Sequence, residues 1–431
     1  MDHSQQVATP ETLREIKRGR AVGLAGKNFS GRTRLLRCWT GFDAWDGGQE
    51  EAEPGKKELS AYIGPEVYNS ISGLATTVRQ ELLLHSPDVL DGNPVSGLVE
   101  NLRLSSLYER NPFTLSGGEQ TCLAVASGLA LGPRALAIDC PTEQLDFEVK
   151  VRLLEWLSNG AGAGTATVIA DNRLAEYEDE FEQVVRMREE LSCESPERHL
   201  HFEPLAPEGN TCGMHFAPCG MRLDALEFGY AKGPGVLRGV SASLEPGLYL
   251  LDGKNGAGKT TLAKVLSGVL RPAEGRILVG GCEARPWREP GRVVGYHFQN
   301  PDLQLFSTTV EEEVVAGPRA LGLRGEELLR RAEAALGAFG LSRIRGQHPL
   351  DLPFVIRKRV ALAATLAMGR PWTILDEPTL GQDDATSEAI TRIIANVLSC
   401  GAGVIVITHS QWFRRRLPAK VLRLESGVIA G

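Results

Sequence analysis

Eight consecutive residues, Gly253-Lys254-Asn255-Gly256-Ala257-Gly258-Lys259-Thr260, satisfy the pattern G-x-x-x-x-G-K-[ST] in full. These residue types at this spacing hold phosphate. Glycines let successive backbone N–H groups curl around phosphate oxygens at a helix N-terminus, the lysine reaches the β- and γ-phosphates, and the hydroxyl holds Mg²⁺. A second copy, Gly26-Lys27-Asn28-Phe29-Ser30-Gly31-Arg32-Thr33, keeps the frame but has arginine where the lysine belongs. The loop works only between a strand and a helix, and the chain supplies both. The apolar run Leu248 to Leu251 leads in, and Leu262, Val265, Leu266, Val269 and Leu270 lead out at helical spacing. Motif and context together predict nucleotide binding.

The loops are the first of a matched series, which is the mark of an internal duplication. Leu115-Ser116-Gly117-Gly118-Glu119-Gln120 precedes a helical stretch and then the strand Ala135 to Ile138, which ends in Asp139-Cys140-Pro141-Thr142. In the second half Trp372-Thr373-Ile374-Leu375 ends in Asp376-Glu377-Pro378-Thr379. The loops are 227 residues apart and the aspartates 237, so one unit of about two hundred residues has been copied and slightly lengthened. This gives an α/β chain of two tandem domains, 1–190 and 221–431, joined by a linker at 191–220 that has no hydrophobic period. Cys193, Cys212, Cys219, His199, His201 and His215 gather in or near that linker. Their spacing fits no paired C-x-x-C arrangement, so they read as linker residues, with a structural zinc as the alternative.

Composition narrows the setting. A net charge of -7 argues against a nucleic-acid backbone as the main partner. No apolar stretch approaches the roughly 18 residues needed to span a bilayer, and the polar start Met1 to Gln6 does not read as a signal peptide. Eight scattered cysteines suit a reducing compartment. The basic runs Arg357-Lys358-Arg359 and Arg414-Arg415-Arg416 read as solvated helix faces.

Taken in order, a phosphate loop, an LSGG-type segment and an apolar strand ending in Asp-Glu-Pro-Thr resemble the ATP-binding cassette family over nearly the whole chain. Gly295 to Phe306, read with Thr309-Val310-Glu311-Glu312-Glu313, looks like the energy-coupling factor branch, whose members power uptake of vitamins and transition-metal ions. The resemblance implies two P-loop NTPase domains, each with a mixed sheet core and a helical subdomain carrying the signature. It further implies that the halves pair head to tail as a pseudo-dimer within one chain. Each ATP would lie between the phosphate loop of one half and the signature of the other.

Carried over residue by residue, it implies one complete site. Tyr230 would stack on adenine, and Gly253, Asn255, Gly256, Ala257, Gly258, Lys259, Thr260 and Thr261 would hold the phosphates. Thr260, Asp376 and Gln299 would bind Mg²⁺, and Glu377 would orient or deprotonate the attacking water. Gln299 and His409 would sense the γ-phosphate, and Ser116, Gly117 and Gly118 would close the site. The opposite site departs from the pattern at Arg32, at Pro65 in place of the glutamine, at Cys140 in place of the glutamate and at Asn172 in place of the histidine. Its facing signature reads Leu352-Pro353-Phe354-Val355-Ile356, and Thr33 and Asp139 remain. No aromatic residue precedes Phe29 to stack on adenine. The expectation is a hydrolytic motor on the cytoplasmic face of the membrane, held there by integral membrane transporter subunits and using ATP and Mg²⁺. The docking surface is expected at Leu303, Leu305 and Phe306 with Glu311, Glu312 and Glu313, and in the first half at Tyr68 to Leu74. The rival readings are a soluble tandem ATPase acting on ribosome or DNA, and a regulatory nucleotide-binding protein.

Overall fold

A computed structural model describes residues 6–28, 30–43, 59–90, 94–139, 145, 147–158, 164–172, 174, 177–187, 219–230, 235–254 and 256–430. The chain forms two compact units, Met1–His199 and Leu200–Gly431. Most of the linker, with Cys193, Cys212, His199, His201 and His215, lies outside the described residues, as do Cys140 and Asn255.

The first unit contains β1 (Gln6–Val7), β2 (Ala21–Ala25), β3 (Ser60–Ile63), β4 (Ala135–Asp139), β5 (Ala166–Ala170) and β6 (Gln183–Arg186). They form one sheet in the order β1-β6-β2-β5-β4-β3, and every pairing is parallel. The central strands are apolar runs because parallel strands are covered on both faces; β5, Ala-Thr-Val-Ile-Ala, is buried along its length.

The second unit repeats this order with β9 (Leu248–Asp252), β12 (Val294–His297), β13 (Trp372–Asp376), β14 (Gly403–Ile407), β15 (Lys420–Glu425) and β16 (Val428–Ala430), arranged β12-β13-β14-β9-β15-β16. The duplication is therefore visible in topology as well as in motif. The outermost strand differs: β1 runs parallel to β6, whereas β16 turns back antiparallel on β15. Ser426 and Gly427, both at positive φ, make that two-residue turn. A second sheet, antiparallel in the order β11-β10-β7-β8, is built from β7 (Met221–Phe228), β8 (Leu237–Leu244), β10 (Glu274–Val279) and β11 (Cys282–Ala284). It has no counterpart among the described residues of the first unit. Among the described residues, the antiparallel pairings that make the fold mixed are in the second unit.

The sequence places the helix after the second phosphate loop well, but not its end. It spans Lys259–Ser267, and Gly268 at φ +86 stops it in the left-handed conformation. Val269, read as part of its apolar face, is exposed. The helix that begins at the signature position spans Gly117–Ala130 in the first unit and Phe354–Ala367 in the second.

Candidate functional site

In the second unit the phosphate loop joins the end of β9 to the helix Lys259–Ser267. Two glycines are required by their surroundings. A Cβ on Gly253 would lie 2.3 Å from the Leu424 carbonyl oxygen of the neighbouring β15, and Gly258 caps the helix at φ +103. No side chain caps this N-terminus, where the helix dipole favours an anion. Lys259 is buried, and its ammonium donates to the carbonyls of Gly253 (2.5 Å) and Lys254 (3.2 Å), which aims it across its own loop.

The loop meets the end of β13. Thr260 Oγ1 donates to Asp376 Oδ2 at 3.2 Å, and the Tyr296 hydroxyl from β12 donates to the same oxygen at 3.2 Å. Burial, then the neighbouring Glu377 charge, pushes the Asp376 carboxyl up to about 6. Burial and Asp376 raise the Tyr296 phenol, which stays a donor. Tyr296 was not anticipated. Its signal was present, since Tyr62 and Tyr296 occupy the same register position on β3 and β12.

Glu377 stands at φ +47, a conformation that strains a residue with a side chain. Four groups hold it there. Its amide donates to the Ile407 carbonyl (2.8 Å), and its own carbonyl accepts from Lys358 Nζ (2.8 Å). One carboxylate oxygen accepts from Thr408 Oγ1 (2.7 Å) and the other from the His409 amide (2.7 Å). The end of β13 and the end of β14 thereby bring Asp376, Glu377 and His409 together. Gln299 joins through Lys358, which also donates to the Gln299 carbonyl at 2.9 Å. Tyr230 lies half-exposed in the loop after β7, edge-on to Phe228 at 5.0 Å between ring centroids.

Several expectations are corrected here. Arg357, Lys358 and Arg359 are buried, not solvated: all of the helix Phe354–Ala367 except Val355 is enclosed. Arg357 pairs with Asp302 at 2.7 Å, and Arg359 donates to Thr386 at 2.9 Å. Arg414 pairs with Asp252 at 2.7 Å, while Arg415 and Arg416 are exposed as expected. On the expected docking surface, Phe306 is 78% and Leu303 71% exposed, but Leu305 is only 6% exposed and belongs to the domain interior. Glu313 is buried and accepts from the amides of Phe306 (2.9 Å) and Ser307 (2.8 Å), so it shapes the loop from beneath. Glu311 is engaged by Arg345 at 2.6 Å.

The first unit keeps part of the same construction. Thr33 Oγ1 donates to Asp139 Oδ2 (2.6 Å), and so does the Tyr62 hydroxyl (3.1 Å). Arg32 departs from it. Its guanidinium donates to the Gly26 carbonyl (2.7 Å), as Lys259 does to Gly253, then reaches on to Asn172 Oδ1 (2.9 Å) and lies 3.7 Å from Asp139 Oδ1. One buried fork ties the loop, the end of β4 and the region after β5 together, a reach the compact ammonium of lysine lacks. Pro65 is in place after β3 with no side chain that could serve as the glutamine would. Ser116 is exposed at the N-terminus of Gly117–Ala130 and forms a capping box with Glu119.

The model of the family described as ABC transporter matches residues 13–143 and 237–380. An ABC transporter ATP-binding protein of Treponema denticola is 29% identical, over 96% of this chain and 91% of its own length. One from Methanosarcina acetivorans is 28% identical, over 96% and 85%. One from Pyrococcus furiosus is 38% identical over 48% of this chain and 81% of its own length. Among solved structures, an ATP-binding subunit of an ABC transporter aligns with 27% identity and a TM-score of 0.45, covering 49% of this chain and 88% of that one. With a family match in both units, this chain belongs to the ABC transporter family, as an ATP-binding, ATP-hydrolysing subunit that carries two cassettes.

Proposed function

We propose that this chain is the motor of an energy-coupling factor-type importer with one hydrolytic ATP site, the one that contains Lys259, Asp376 and Glu377. The observation that carries this reading is the contrast between the two phosphate loops. In the second unit a lysine turned on its own loop stands with Asp376 and a glutamate held by four hydrogen bonds. In the first unit Arg32 binds the groups that would otherwise face phosphate and metal.

Thr260 and Asp376 offer hard oxygen donors beside the loop, which suits Mg²⁺, and the raised Asp376 carboxyl is the kind of buried charge a cation relieves. When bound, Mg²⁺ would neutralise charge on the β- and γ-phosphates. The chain's own groups do the rest. Loop amides and Lys259 hold the phosphates, and Tyr230 offers a face to adenine. Glu377 orients a water whose oxygen bonds to the γ-phosphorus as the bond to the bridging oxygen breaks, and takes up its proton. Gln299 and His409 report the γ-phosphate. Ser116, Gly117 and Gly118 of the first unit close this site in a head-to-tail pseudo-dimer, with Ser116 and its helix N-terminus meeting the γ-phosphate.

No described helix is long and apolar enough to cross a membrane, so transport requires integral membrane subunits that choose the cargo. Phe306 and Leu303 are the apolar residues most available to dock them, with Leu74, 82% exposed, in the first unit. The protein would then sit peripherally on the cytoplasmic face, with no nucleic-acid partner. The direct test is Glu377→Gln. ATP hydrolysis should fall by about 10²–10⁴-fold with ATP binding retained, as expected for loss of an oriented general base. Retained turnover would overturn the single-site reading.

A further inference from the structure

We propose that Lys358 is a positioning residue of this hydrolytic site, joining the γ-phosphate sensor Gln299 to the catalytic Glu377 through their main chains. The inference rests on the reading of Glu377 as the working base. Lys358 is 0% exposed, and a lysine is taken fully out of water only where its ammonium finds strong acceptors. Here those include the Gln299 carbonyl at 2.9 Å and the Glu377 carbonyl at 2.8 Å. The two carbonyls belong to segments that follow different strands, β12 and β13, so one charged group fixes the separation of sensor and base.

Its neighbours along the helix do related work. Arg357 pairs at 2.7 Å with Asp302, three residues beyond Gln299. Arg359 reaches Gln382 at 3.4 Å and Thr386 at 2.9 Å, in the segment after Glu377. Three successive cations therefore tie one helix to the turn after β12, to the end of β13 and to the loop beyond it. The helix begins at Phe354, where the signature glycines are missing, so the end that has lost a phosphate-facing role still carries the residues that align its own unit's site.

The first unit supplies the comparison. Its matching helix, Gly117–Ala130, has Gln120, Thr121 and Cys122 in place of the three cations. Thr121 Oγ1 donates to the Gly117 carbonyl within its own helix, at 3.0 Å. The cations are present in the unit that keeps a glutamate and glutamine to align, and absent from the unit that has lost both.

The test measures steady-state ATP hydrolysis and binding of a fluorescent ATP analogue on the full chain carrying Lys358→Met, Lys358→Gln or Glu377→Gln. Methionine keeps an unbranched side chain one atom shorter and removes every donor; glutamine keeps a neutral donor. Lys358→Met should lower kcat by about 10–100-fold, the scale on which a misplacement near 1 Å acts, with KM and analogue affinity changed less than about threefold. Lys358→Gln should recover part of that loss. A merely structural lysine would instead lower the fraction of chains that bind the analogue, and kcat per analogue-binding chain would stay at the wild-type value. Wild-type kcat in both Lys358 variants while Glu377→Gln is inactive would overturn the proposal and leave the hydrolytic reading intact. If Lys358→Met does not fold, Lys358→Gln decides: reduced kcat at unchanged affinity supports the role, and a loss confined to affinity overturns it. Full turnover in Glu377→Gln would remove the premise instead.

Discussion

Arginine and lysine carry the same charge, and the first phosphate loop shows how little that guarantees. Lys259 points a single ammonium at its own loop carbonyls and leaves Asp376 to Thr260 and Tyr296. Arg32 makes the same contact with Gly26 but also reaches Asn172 and approaches Asp139. To admit a triphosphate, the first unit would have to break this fork inside a buried pocket, where each unmet donor costs about 1–3 kcal/mol. On the proposed single-site reading, replacing it does not by itself make a second hydrolytic site. Arg32→Lys should leave the hydrolysis rate within about twofold of wild type, because Pro65 and Asn172 stay wrong and residues that act as a unit do not repair singly. Counting nucleotides bound per purified chain, before and after the change, reads out the plug directly. A doubled rate would mean that the first site lacks only its lysine.

At the scale of elements, the segment between Phe298 and the helix Val310–Ala320 behaves as a supported platform. Glu313 reaches back from the first turn of that helix to two loop amides, and Glu81 does the same in the first unit, accepting from the Ser72 amide (2.7 Å) and hydroxyl (2.6 Å). These buried carboxylates support the loops that carry the exposed residues Phe306 and Leu74. Two substitutions should therefore separate. Glu313→Ala leaves two part-buried loop amides without their acceptor and should destabilise the second unit by about 1 kcal/mol, seen as a lower melting temperature. Phe306→Ala removes an exposed side chain and should change stability by no more than about 0.5 kcal/mol. It should nonetheless release the protein from membranes that contain its partner, with soluble ATP hydrolysis unchanged. Co-sedimentation with those membranes checks this, and an intact complex in Phe306→Ala would place the dock elsewhere.

For the whole molecule, the proposed head-to-tail pairing makes each unit incomplete. Ser116→Ala should lower hydrolysis at the Lys259 site by about 10²-fold, the scale of losing one transition-state donor. The same change removes a helix cap and should cost about 1 kcal/mol of stability, so turnover must be measured well below the melting temperature. Pro353→Ala, at the matching position of the other unit, should leave turnover unchanged; Pro353 caps nothing by a side chain. If Ser116→Ala shifts the melting temperature alone, the pairing is wrong although the Lys259 site stands.

The sequence by itself determined the duplication, both phosphate loops and the Asp376-Glu377 pair. These are short contiguous signals whose chemistry depends on neighbouring backbone: glycines that bend, a helix that begins, a strand that ends in carboxylates. Only the tertiary structure decided the fate of the charges. Arg357, Lys358 and Arg359 are 100° apart around their helix and read as a wet face, yet helices and loops from distant parts of the chain enclose that helix on every side. No period in the sequence distinguishes such a helix, because nothing in it marks a solvent side. Leu305 lies one residue from the exposed Phe306 and is buried, since a turn, unlike a strand or helix, has no repeat from which exposure can be read. The antiparallel sheet is likewise a matter of tertiary structure. Tyr230 follows β7 of that sheet, and the described part of the first unit contains no such sheet.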